Sequence, residues 1–482
     1  MTWQTTTALY SYQQRAVDKL LPSRVGGLFM DMGTGKTRTV IEFACLRQSK
    51  IARVVWFCPV SLKETARYEI LKHTDCQPCD ILVFDDHTGQ KDLPERFWNI
   101  VGLESMSSSD RVTLAAASLI DENTFVIVDE SSYIKGHHAT RTQRITRLSE
   151  KARYRVILTG TPISQGVVDL YAQMRFLSPK ILGYNSFYSF ARNHLEYHPD
   201  YPGLIVASHN TDWLAAKIHP YTYQVTKAEC LDLPEKLYDS LYFGMSEQQA
   251  ELYWRAKEEI LLNVPDELID SSYVIFRLFG ALQQITCGFW HRYVYDERMR
   301  RLLYHEVLEV PHRRLDMLSH GVGRTPEGEP VIIWAKFQHS ISAIVERLSA
   351  EHGAQNVAQL HGNLKEKERT QEIARFRAGA RFLVSTQATG GHGLTLNEAA
   401  HHIFYCNGFK YSERIQAEDR SHRIGQTRPV TYTDIVCRGS IDERTQKALS
   451  DKEDAVVAFR KTVQTVKDMQ RKDVREYLRE VL

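Results

Sequence analysis

The stretch Phe29-Met30-Asp31-Met32-Gly33-Thr34-Gly35-Lys36-Thr37 decides the fold class of this chain. Residues 25–30 form an apolar run that leads into it, and residues 37–47 have a helical pattern. A strand, a glycine turn, a Lys-Thr pair and a helix make a phosphate-binding loop, because glycines let backbone N–H groups turn towards phosphate oxygens. The positive N-terminal end of the helix adds to this attraction. The stretch therefore predicts a nucleotide-binding α/β domain.

The residue types of this loop suit the phosphates of a nucleotide and its Mg²⁺ ion. Lys36 would reach the β- and γ-phosphates, and the Thr37 hydroxyl would bind Mg²⁺. The residues whose backbone would surround the phosphates are Met32, Gly33, Thr34 and Gly35. The strict pattern has glycine six residues before the lysine, where this chain has Met30. The alternative is a glycine-rich turn followed by a chance Lys-Thr pair, which the rest of the chain disfavours.

Length and composition indicate a globular protein of several domains. The 482 residues suffice for two or three domains, and 43% apolar with 25% charged residues is ordinary for a globular chain. The net charge of +2, from 61 basic and 59 acidic side chains, neither requires nor excludes a nucleic-acid partner. The sequence predicts no signal peptide and no membrane-spanning segment.

Short apolar segments alternate with helical segments in two parts of the chain. The segments are apolar on both faces, as in parallel strands covered by helices, which predicts an α/β fold with two parallel-sheet lobes. We expect the first lobe in residues 1–222, with an irregular or helical insertion at about 178–219. Residues 223–330 are expected to be a linker and a helical insertion, and residues 331–482 the second lobe with C-terminal helices. The second lobe lacks a Gly-Lys-Thr sequence, which suggests two lobes around one nucleotide.

Two acidic residues, Asp129 and Glu130, follow the apolar segment 124–128. Carboxylates at the end of a buried parallel strand lie where α/β sheets bind ligands. Asp129 there can hold Mg²⁺, and Glu130 can polarise the attacking water. Two solvated acids at a strand end are the alternative, which is disfavoured once the pair is combined with Lys36 and Thr37.

The second predicted lobe contains a pair of arginines, Arg420 and Arg423, within residues 416–426. Their spacing of three would place them on one face of a helix. Two guanidinium groups directed at a triphosphate would act as arginine fingers, which stabilise charge in the transition state. A surface helix with ion pairs to Glu418 and Asp419 is the alternative.

Together with further segments of the chain, the stretches described above resemble the motifs of superfamily 2 helicase-type ATPases of the Snf2 class, and they follow the order of those motifs. The run His422-Arg423-Ile424-Gly425-Gln426 is highly specific for that class. Residues 393–396 and 416–420 look closest to its DNA-annealing helicase branch, and the chain as a whole resembles its minimal bacterial and phage members. The matching segments are Tyr12-Gln13, 31–37, 56–62, 99–106, 129–130, 158–177, 331–337, 382–396 and 416–426. The resemblance implies two RecA-like lobes, ATP and Mg²⁺ as cofactors, Gln13 as an adenine-reading residue, and Gly393 as a further nucleotide contact.

The resemblance also implies contacts with DNA through the protein's turns. The residues expected to contact phosphates are Ser61, Lys63, Lys336, Ser385, Thr386 and Gln387. Such contacts carry no sequence information, so we expect weak sequence preference and strong salt dependence. A basic group of arginines would lie beside the duplex or form a solvated face: Arg292, Arg298, Arg300, Arg301, Arg313 and Arg314.

One departure from the family pattern concerns the acidic motif, which reads Asp129-Glu130-Ser131-Ser132. In relatives of this class a histidine stands at the position of Ser132, and the effect of serine on coupling between the lobes is left open.

The sequence leaves three functions to be distinguished. They are a DNA-dependent ATPase that translocates on duplex or branched DNA, a helicase that separates DNA or RNA strands, and a non-hydrolysing nucleotide-gated DNA clamp. We expect a monomer without membrane contact, in the cytoplasm of a bacterial or phage-infected cell, or in the nucleus if the source is eukaryotic. The preferred DNA structure and the protein partners do not follow from the sequence.

Overall fold

The chain forms two compact units, Met1–Leu233 and Pro234–Leu482. The computed structural model describes residues 3–85, 87–163, 166–197, 203, 205–263, 271–296, 301–390, 395–468 and 474–482. No helix within these ranges is long and apolar enough to cross a bilayer.

The first unit is built on a seven-stranded sheet in which all neighbouring strands are parallel. The strands of this unit are β1 (Val25–Met30), β2 (Arg53–Cys58), β3 (Ile81–Val83), β4 (Trp98–Gly102), β5 (Thr124–Val128), β6 (Tyr154–Thr159), β7 (Leu195–Tyr197), β8 (Ile205–Ser208) and β9 (Thr222–Val225). Strands β7 and β8 form a separate antiparallel pair, and the other seven form the sheet. The order across the sheet is β3-β4-β2-β5-β6-β1-β9. The helices are α1 (Ser11–Leu20), α2 (Lys36–Arg47), α3 (Lys63–His73), α4 (Ser105–Ser108), α5 (Asp110–Leu119), α6 (Thr140–Ser149), α7 (Val168–Leu177), α8 (Pro179–Leu182), α9 (Phe187–His194), α10 (Thr211–Ile218) and α11 (Lys227–Cys230).

Helices cover both faces of this sheet, and the sequence of β2 shows why. Val54 and Trp56 belong to one core cluster, and Val55 and Phe57 belong to the other. Because successive side chains of a strand point to opposite faces, a strand buried on both sides must be apolar throughout. This confirms the predicted α/β class.

The second unit repeats the architecture with a six-stranded sheet, again with parallel neighbours. Its strands are β10 (Lys236–Phe243), β13 (Val331–Ala335), β14 (Val357–Leu360), β15 (Phe382–Thr386), β16 (His401–Phe404) and β17 (Val430–Cys437), in the order β10-β17-β16-β13-β15-β14, beside a hairpin of β11 (Phe289–Asp296) and β12 (Arg301–Glu309). The helices are α12 (Glu247–Leu262), α13 (Ser272–Thr286), α14 (Arg314–Gly323), α15 (Gln338–His352), α16 (Glu366–Arg377), α17 (Gln387–Gly390), α18 (Tyr411–Glu418), α19 (Ile441–Ser450), α20 (Ala455–Asp468) and α21 (Val474–Val481).

The expected helical insertion within residues 223–330 also contains strands. Strands β11 and β12 pair as an antiparallel hairpin between α13 and α14. Aromatic and charged side chains on both faces hide the two-residue alternation from which a strand is recognised. The sequence interpretation also missed β9 and β10, which form one edge of the first and of the second sheet.

Candidate functional site

The loop after β1 has the backbone of an anion cradle. Gly33 and Gly35 have φ values of 79° and 80°, in the left-handed region that favours glycine. A Cβ atom on Gly35 would lie 2.2 Å from Nε2 of Gln13, so a larger residue would also collide with α1. Lys36 opens α2 directly after this turn, and the backbone N–H groups of the first helical turn have no partner within the helix. The loop can therefore hold a phosphate as predicted.

The ammonium group of Lys36 lies over the loop itself. It donates to the carbonyl oxygens of Met30 at 2.7 Å and Asp31 at 3.1 Å, and the side chain is buried. The Thr34 hydroxyl donates to the same Asp31 carbonyl at 2.7 Å. Thr37 stands in the first turn of α2 and is half-buried. The lysine is thus in place at the cradle and is held there by carbonyl oxygens.

Helix α1 supports the loop from one side. Gln13 is buried, and its Nε2 donates to the carbonyl oxygens of Thr34 at 3.1 Å and Gly35 at 3.4 Å. Its Oε1 accepts from the backbone N–H of Tyr10, and the Tyr12 hydroxyl donates to Thr34. Both ends of the Gln13 amide are therefore bonded within the protein, and its role as an adenine-reading residue stays a prediction.

The two carboxylates follow β5, which lies next to β6 and one strand from β1. Carboxyl ends of parallel strands meet at one edge of a sheet, so Asp129 and Glu130 lie at the same edge as the loop. Desolvation, followed by the neighbouring Glu130 carboxylate, raises the pKa of Asp129 to about 7, against the opposing charge of Lys36. The electrostatic influence of Lys36 on Asp129 shows that the structure brings these predicted residues together.

Glu130 has an unusual conformation for its residue type. Its φ of 51° and ψ of 57° lie in the left-handed region, and its N–H donates to Oδ1 of Asp129 at 2.9 Å. Its Oε2 atom is buried and has no hydrogen-bond partner within the described part of the chain. Backbone strain and an unsatisfied buried oxygen both cost free energy and are typical of functional sites. This oxygen is a natural acceptor for a water molecule beside a bound phosphate.

These residues fit a Mg²⁺–nucleotide complex. The cradle supplies N–H donors and a lysine for phosphate oxygens, while the Thr37 hydroxyl and the Asp129 carboxylate are the oxygen ligands that Mg²⁺ prefers. Burial and the neighbouring Glu130 carboxylate raise the pKa of Asp129, and a divalent cation beside it would favour its charged form.

A buried glutamine, Gln173, joins the acidic motif to the loop after β6. The hydroxyl of Ser131 donates to Oε1 of Gln173 at 2.6 Å, and Nε2 of Gln173 donates to the Pro162 carbonyl at 2.8 Å. Sequence reasoning missed this residue, because a lone glutamine on a helix carries no pattern. The side chain of Ser131, which precedes Ser132 in the motif, is therefore bonded through Gln173 to the loop after β6.

The arginine motif of the second unit is not helical where the arginines stand. Helix α18 ends at Glu418, so the expectation that Arg420 and Arg423 share a helical face is wrong. The Ser421 hydroxyl donates to the Leu396 carbonyl oxygen, and the Leu396 N–H donates to the Arg420 carbonyl oxygen. These two bonds draw the chain out of the helix. Arg420 is buried and its Nε donates to the Gln416 carbonyl at 3.1 Å. Arg423 is half-buried.

A buried polar network fixes the end of α18. Arg414 donates to Oε1 of Glu418 at 2.8 Å, to Oδ1 of Asp434 at 2.5 Å and to Oδ1 of Asn407 at 2.8 Å. Charge-assisted bonds of this kind are among the stronger ones in proteins, provided that all partners are satisfied. The network therefore supports the turn that carries Arg420 and Arg423.

The residues predicted to contact DNA have diverse surroundings. The side chains of Ser385 and Gln387 are buried. The Ser385 hydroxyl donates to the Leu360 carbonyl oxygen at 2.9 Å, and Oε1 of Gln387 accepts from the Gly408 N–H at 2.6 Å. The ammonium of Lys63 donates to the Phe84 carbonyl at 2.6 Å. Ser61 is exposed and Thr386 is half-buried. Their contacts with DNA stay predictions, and Gly393 lies outside the described residues.

Lys336 lies in an aromatic cage. Its ammonium group is 3.0 Å from the centre of the Phe409 ring and 5.0 Å from that of Phe337, and it donates to Oε1 of Gln283 at 3.0 Å. Burial lowers the pKa of Lys336 to about 7, against the raising influence of Cys406. The ammonium is therefore engaged inside the second unit.

The basic group of arginines is not a uniform surface. Arg314 is fully buried and forms an ion pair with Asp442, and Arg292 is paired with Glu259 and Glu306 at 2.8 Å each. Arg298 and Arg300 lie outside the described residues, Arg301 is the first residue of β12, and Arg313 is exposed. The placement of Arg314 excludes it from a DNA-facing surface.

Comparison with known proteins shows what this chain is similar to. A family model described as SNF2-related domain matches residues 10–288, and one described as helicase conserved C-terminal domain matches residues 313–425. The Danio rerio protein "Chromodomain-helicase-DNA-binding protein 1-like" is 24% identical over 424 residues, which is 86% of this chain and 40% of that protein. The Homo sapiens protein "SWI/SNF-related matrix-associated actin-dependent regulator of chromatin subfamily A member 1" is 26% identical over 329 residues, which is 66% of this chain and 30% of that protein.

Among solved structures, the Sulfolobus solfataricus SWI2/SNF2 ATPase core in complex with dsDNA aligns over 98% of both chains, at 22% identity and a TM-score of 0.42. In contrast, the chain spans less than half the length of the Danio rerio and Homo sapiens relatives named above. The SNF2-related model covers more than half of the present chain, with the helicase C-terminal model after it. The chain belongs to the SNF2-related family.

Proposed function

We propose that this chain is a DNA-dependent ATPase that uses ATP hydrolysis to move along or remodel duplex or branched DNA. The observation that carries the proposal is the state of Glu130. It is strained, its Oε2 atom is buried and unsatisfied among the described residues, and it stands beside Asp129 at the edge that bears the phosphate loop. The strained backbone and the buried unsatisfied oxygen each cost free energy, and their combination in one carboxylate supports a role in orienting water at a phosphate.

Each residue then has a definite task. Lys36 and the N–H groups of the cradle bind the β- and γ-phosphates, and Glu130 orients and polarises the attacking water. Thr37 and Asp129 would hold Mg²⁺, which neutralises phosphate charge when bound. Arg420 and Arg423 supply positive charge for the transition state. The family membership supports this assignment of roles, since the matched models are those of SNF2-related and helicase C-terminal domains.

The substrate class is also part of the proposal. The relatives whose names mention DNA or chromatin are longer than this chain, and they support DNA as the stimulating partner. Contacts through backbone amides and hydroxyls predict little preference for sequence. We propose that the chain acts as a monomer, in whichever cellular compartment holds that DNA.

The test is phosphate release from ATP in the presence of a panel of nucleic acids. The panel holds blunt duplex DNA, forked DNA, single-stranded DNA and duplex RNA, at two salt concentrations. We expect stimulation of at least about tenfold by duplex or forked DNA, and a steep loss of stimulation at the higher salt. ATP binding without phosphate release would indicate a clamp instead, and stimulation by RNA alone would contradict the proposed substrate.

A further inference from the structure

The segment that joins the two units begins with a bond to the phosphate loop. The backbone N–H of Lys227 donates to Oδ2 of Asp31 at 2.9 Å, and the N–H of Asp31 donates to the carbonyl oxygen of Val225 at 3.1 Å. The carbonyl oxygen of the same Asp31 accepts from the Lys36 ammonium. Asp31 therefore contacts the phosphate-binding lysine through its backbone and the joining segment through its side chain.

The start of this segment is well fixed on the first unit. Thr226 and Glu229 form a capping box at the N-terminus of α11, with the Glu229 carboxylate accepting from the N–H of Thr226 at 2.7 Å. The side chains of Cys230 and Leu231 pack against the core cluster of the first unit. A displacement of Asp31 would thus move a short rigid element rather than a loose loop.

The end of the segment is bonded to the arginine motif of the second unit. A ring nitrogen of His422, Nε2, lies 2.8 Å from the carbonyl oxygen of Pro234. The ammonium of Lys236 donates to Glu418 at 3.0 Å and to Asp419 at 3.2 Å. Glu418 and Asp419 directly precede Arg420, and His422 directly precedes Arg423.

The remaining length between the two fixed ends is small. Only Asp232 and Leu233 separate Leu231, which packs on the first unit, from Pro234, which is bonded in the second. Leu231 and Pro234 are three residue steps apart along the chain, which span about 11 Å at most when fully extended. A connection of this length limits how far its two fixed ends can move apart, in contrast with a long flexible linker.

We propose that the joining segment, residues 226–235, is a mechanical link through which a nucleotide on the phosphate loop repositions the arginine motif. The inference rests on the proposed function, because it gives the link a nucleotide to respond to. A phosphate that draws Lys36 away from the Asp31 carbonyl alters the hold on Asp31, and Asp31 is bonded to Lys227, the second residue of the link. Asp31, Lys227 and Lys236 are positioning residues in this scheme.

One substitution removes the first bond of the link with little other change. Lys227 is the first residue of α11, where proline is well tolerated because that N–H has no partner inside a helix. Thr226 has φ −92° and ψ 160°, an extended conformation that suits a residue before proline. Lys227→Pro therefore removes the N–H donated to Asp31, and Lys227→Ala is the matched control that keeps it.

The first readout is amide hydrogen exchange with and without a non-hydrolysable ATP analogue, followed in residues 31–37 and 411–426. In the unaltered protein and in Lys227→Ala the analogue should slow exchange in both segments by at least about threefold. In Lys227→Pro it should slow residues 31–37 only. If Lys227→Pro retains the effect in residues 411–426, the link is refuted while the nucleotide site stands. If the analogue slows neither segment in the unaltered protein, the proposed function fails as well.

The second readout separates binding from turnover at the other end of the link. Lys236→Met removes the bonds to Glu418 and Asp419, and Lys367→Met alters an exposed lysine of the same unit as a control. We expect Lys236→Met to lower kcat at least about fivefold with KM for ATP within about twofold, and Lys367→Met to change neither. Unchanged kcat in Lys236→Met overturns the inference. This variant also serves as the test if Lys227→Pro does not fold.

Discussion

The ammonium group of Lys36 donates to the carbonyl oxygen of Met30 at 2.7 Å. Met30 stands where the strict phosphate-loop pattern has glycine, and its carbonyl oxygen, not its side chain, faces the lysine. The departure at this position therefore does not disturb the loop, since every residue type has a backbone carbonyl. The lysine is already placed at the cradle, which is the kind of preorganisation that phosphate binding uses.

Replacing Lys36 tests the loop directly. Lys36→Met keeps the length of the side chain but removes its charge and its bonds to Met30 and Asp31. We expect ATP turnover to fall by about 100-fold or more, with weaker nucleotide binding, because a donor aimed at the phosphates is lost. Lys50→Met, at an exposed lysine of the same unit, serves as the control. Turnover within about threefold of the unaltered protein would contradict the assignment.

Glu130→Gln separates binding from chemistry. The amide has the shape of the carboxylate but is a weaker acceptor for a proton from water, so kcat should fall by about 100- to 10,000-fold. Nucleotide affinity should change by less than about threefold, as measured by equilibrium binding of a fluorescent ATP analogue. An equal loss of affinity and turnover would mean that Glu130 shapes the site instead of activating water.

Sequence reasoning located these residues because the pattern and the topology agree locally. Lys36 follows a glycine turn, and Asp129 ends an apolar strand, so each position is defined by a few neighbours in the chain. Gln173 and Lys236 were missed because their partners are distant in sequence, whereas the β11–β12 hairpin was missed because its residues show no clear two-residue alternation. The bonds of Lys236 to Glu418 and Asp419 cross about 180 residues and leave no periodic signal. The same limit applies to Arg314, whose burial depends on Asp442.

Lys336 shows how a correct motif can leave a residue's role open. The motif predicts a phosphate contact, whereas the ammonium is bonded to Gln283 and lies over Phe409. A lysine that contacts a DNA phosphate contributes about one unit to the salt dependence of binding. We expect Lys336→Met to change that slope by less than about 0.5, as measured by DNA affinity at several salt concentrations. A decrease of about one would show that Lys336 leaves its cage to bind DNA.

The stability of the second unit should depend on pH through His402. Its Nδ1 accepts from Nε1 of Trp334 at 2.9 Å, and burial, followed by the charge of Arg414, lowers the pKa of His402 to about 3. The unfolded chain binds a proton near pH 6.5, whereas the folded chain does not until about pH 3. The neutral ring therefore favours the native state fully above pH 6.5, and this contribution is lost as the pH falls towards 3.

His402→Gln can retain an acceptor for Trp334 without titrating. Between pH 6 and pH 4, we expect the free energy of unfolding to fall less steeply for this variant than for the unaltered protein. The difference between the two slopes should be about 1 kcal/mol per pH unit. Chemical denaturation at each pH measures the difference. Other buried histidines are present in both proteins and cancel in the comparison. Equal slopes would show that His402 is not kept neutral by the fold.

The two arginines of the second unit should differ in what they contribute. Arg420 is buried and bonded to the Gln416 carbonyl, whereas Arg423 is half-buried in the following turn. Arg420→Ala should lower stability by about 1–3 kcal/mol as well as turnover, because a buried carbonyl loses its partner. Arg423→Ala should lower turnover by about 1,000-fold with a change in stability below about 0.5 kcal/mol, since an arginine finger acts on transition-state charge.

Thermal unfolding and DNA-stimulated phosphate release on both variants measure this difference, with Arg428→Ala as a control at an exposed arginine paired with Glu329. Arg428 follows the same motif, so it controls for a general loss of positive charge near that turn. If Arg423→Ala keeps more than about a tenth of the turnover, this arginine does not act as a finger. Arg420 would then be the remaining candidate for an arginine finger in this motif. Arg420→Lys, which keeps a positive charge, would separate the loss of stability in Arg420→Ala from its loss of turnover.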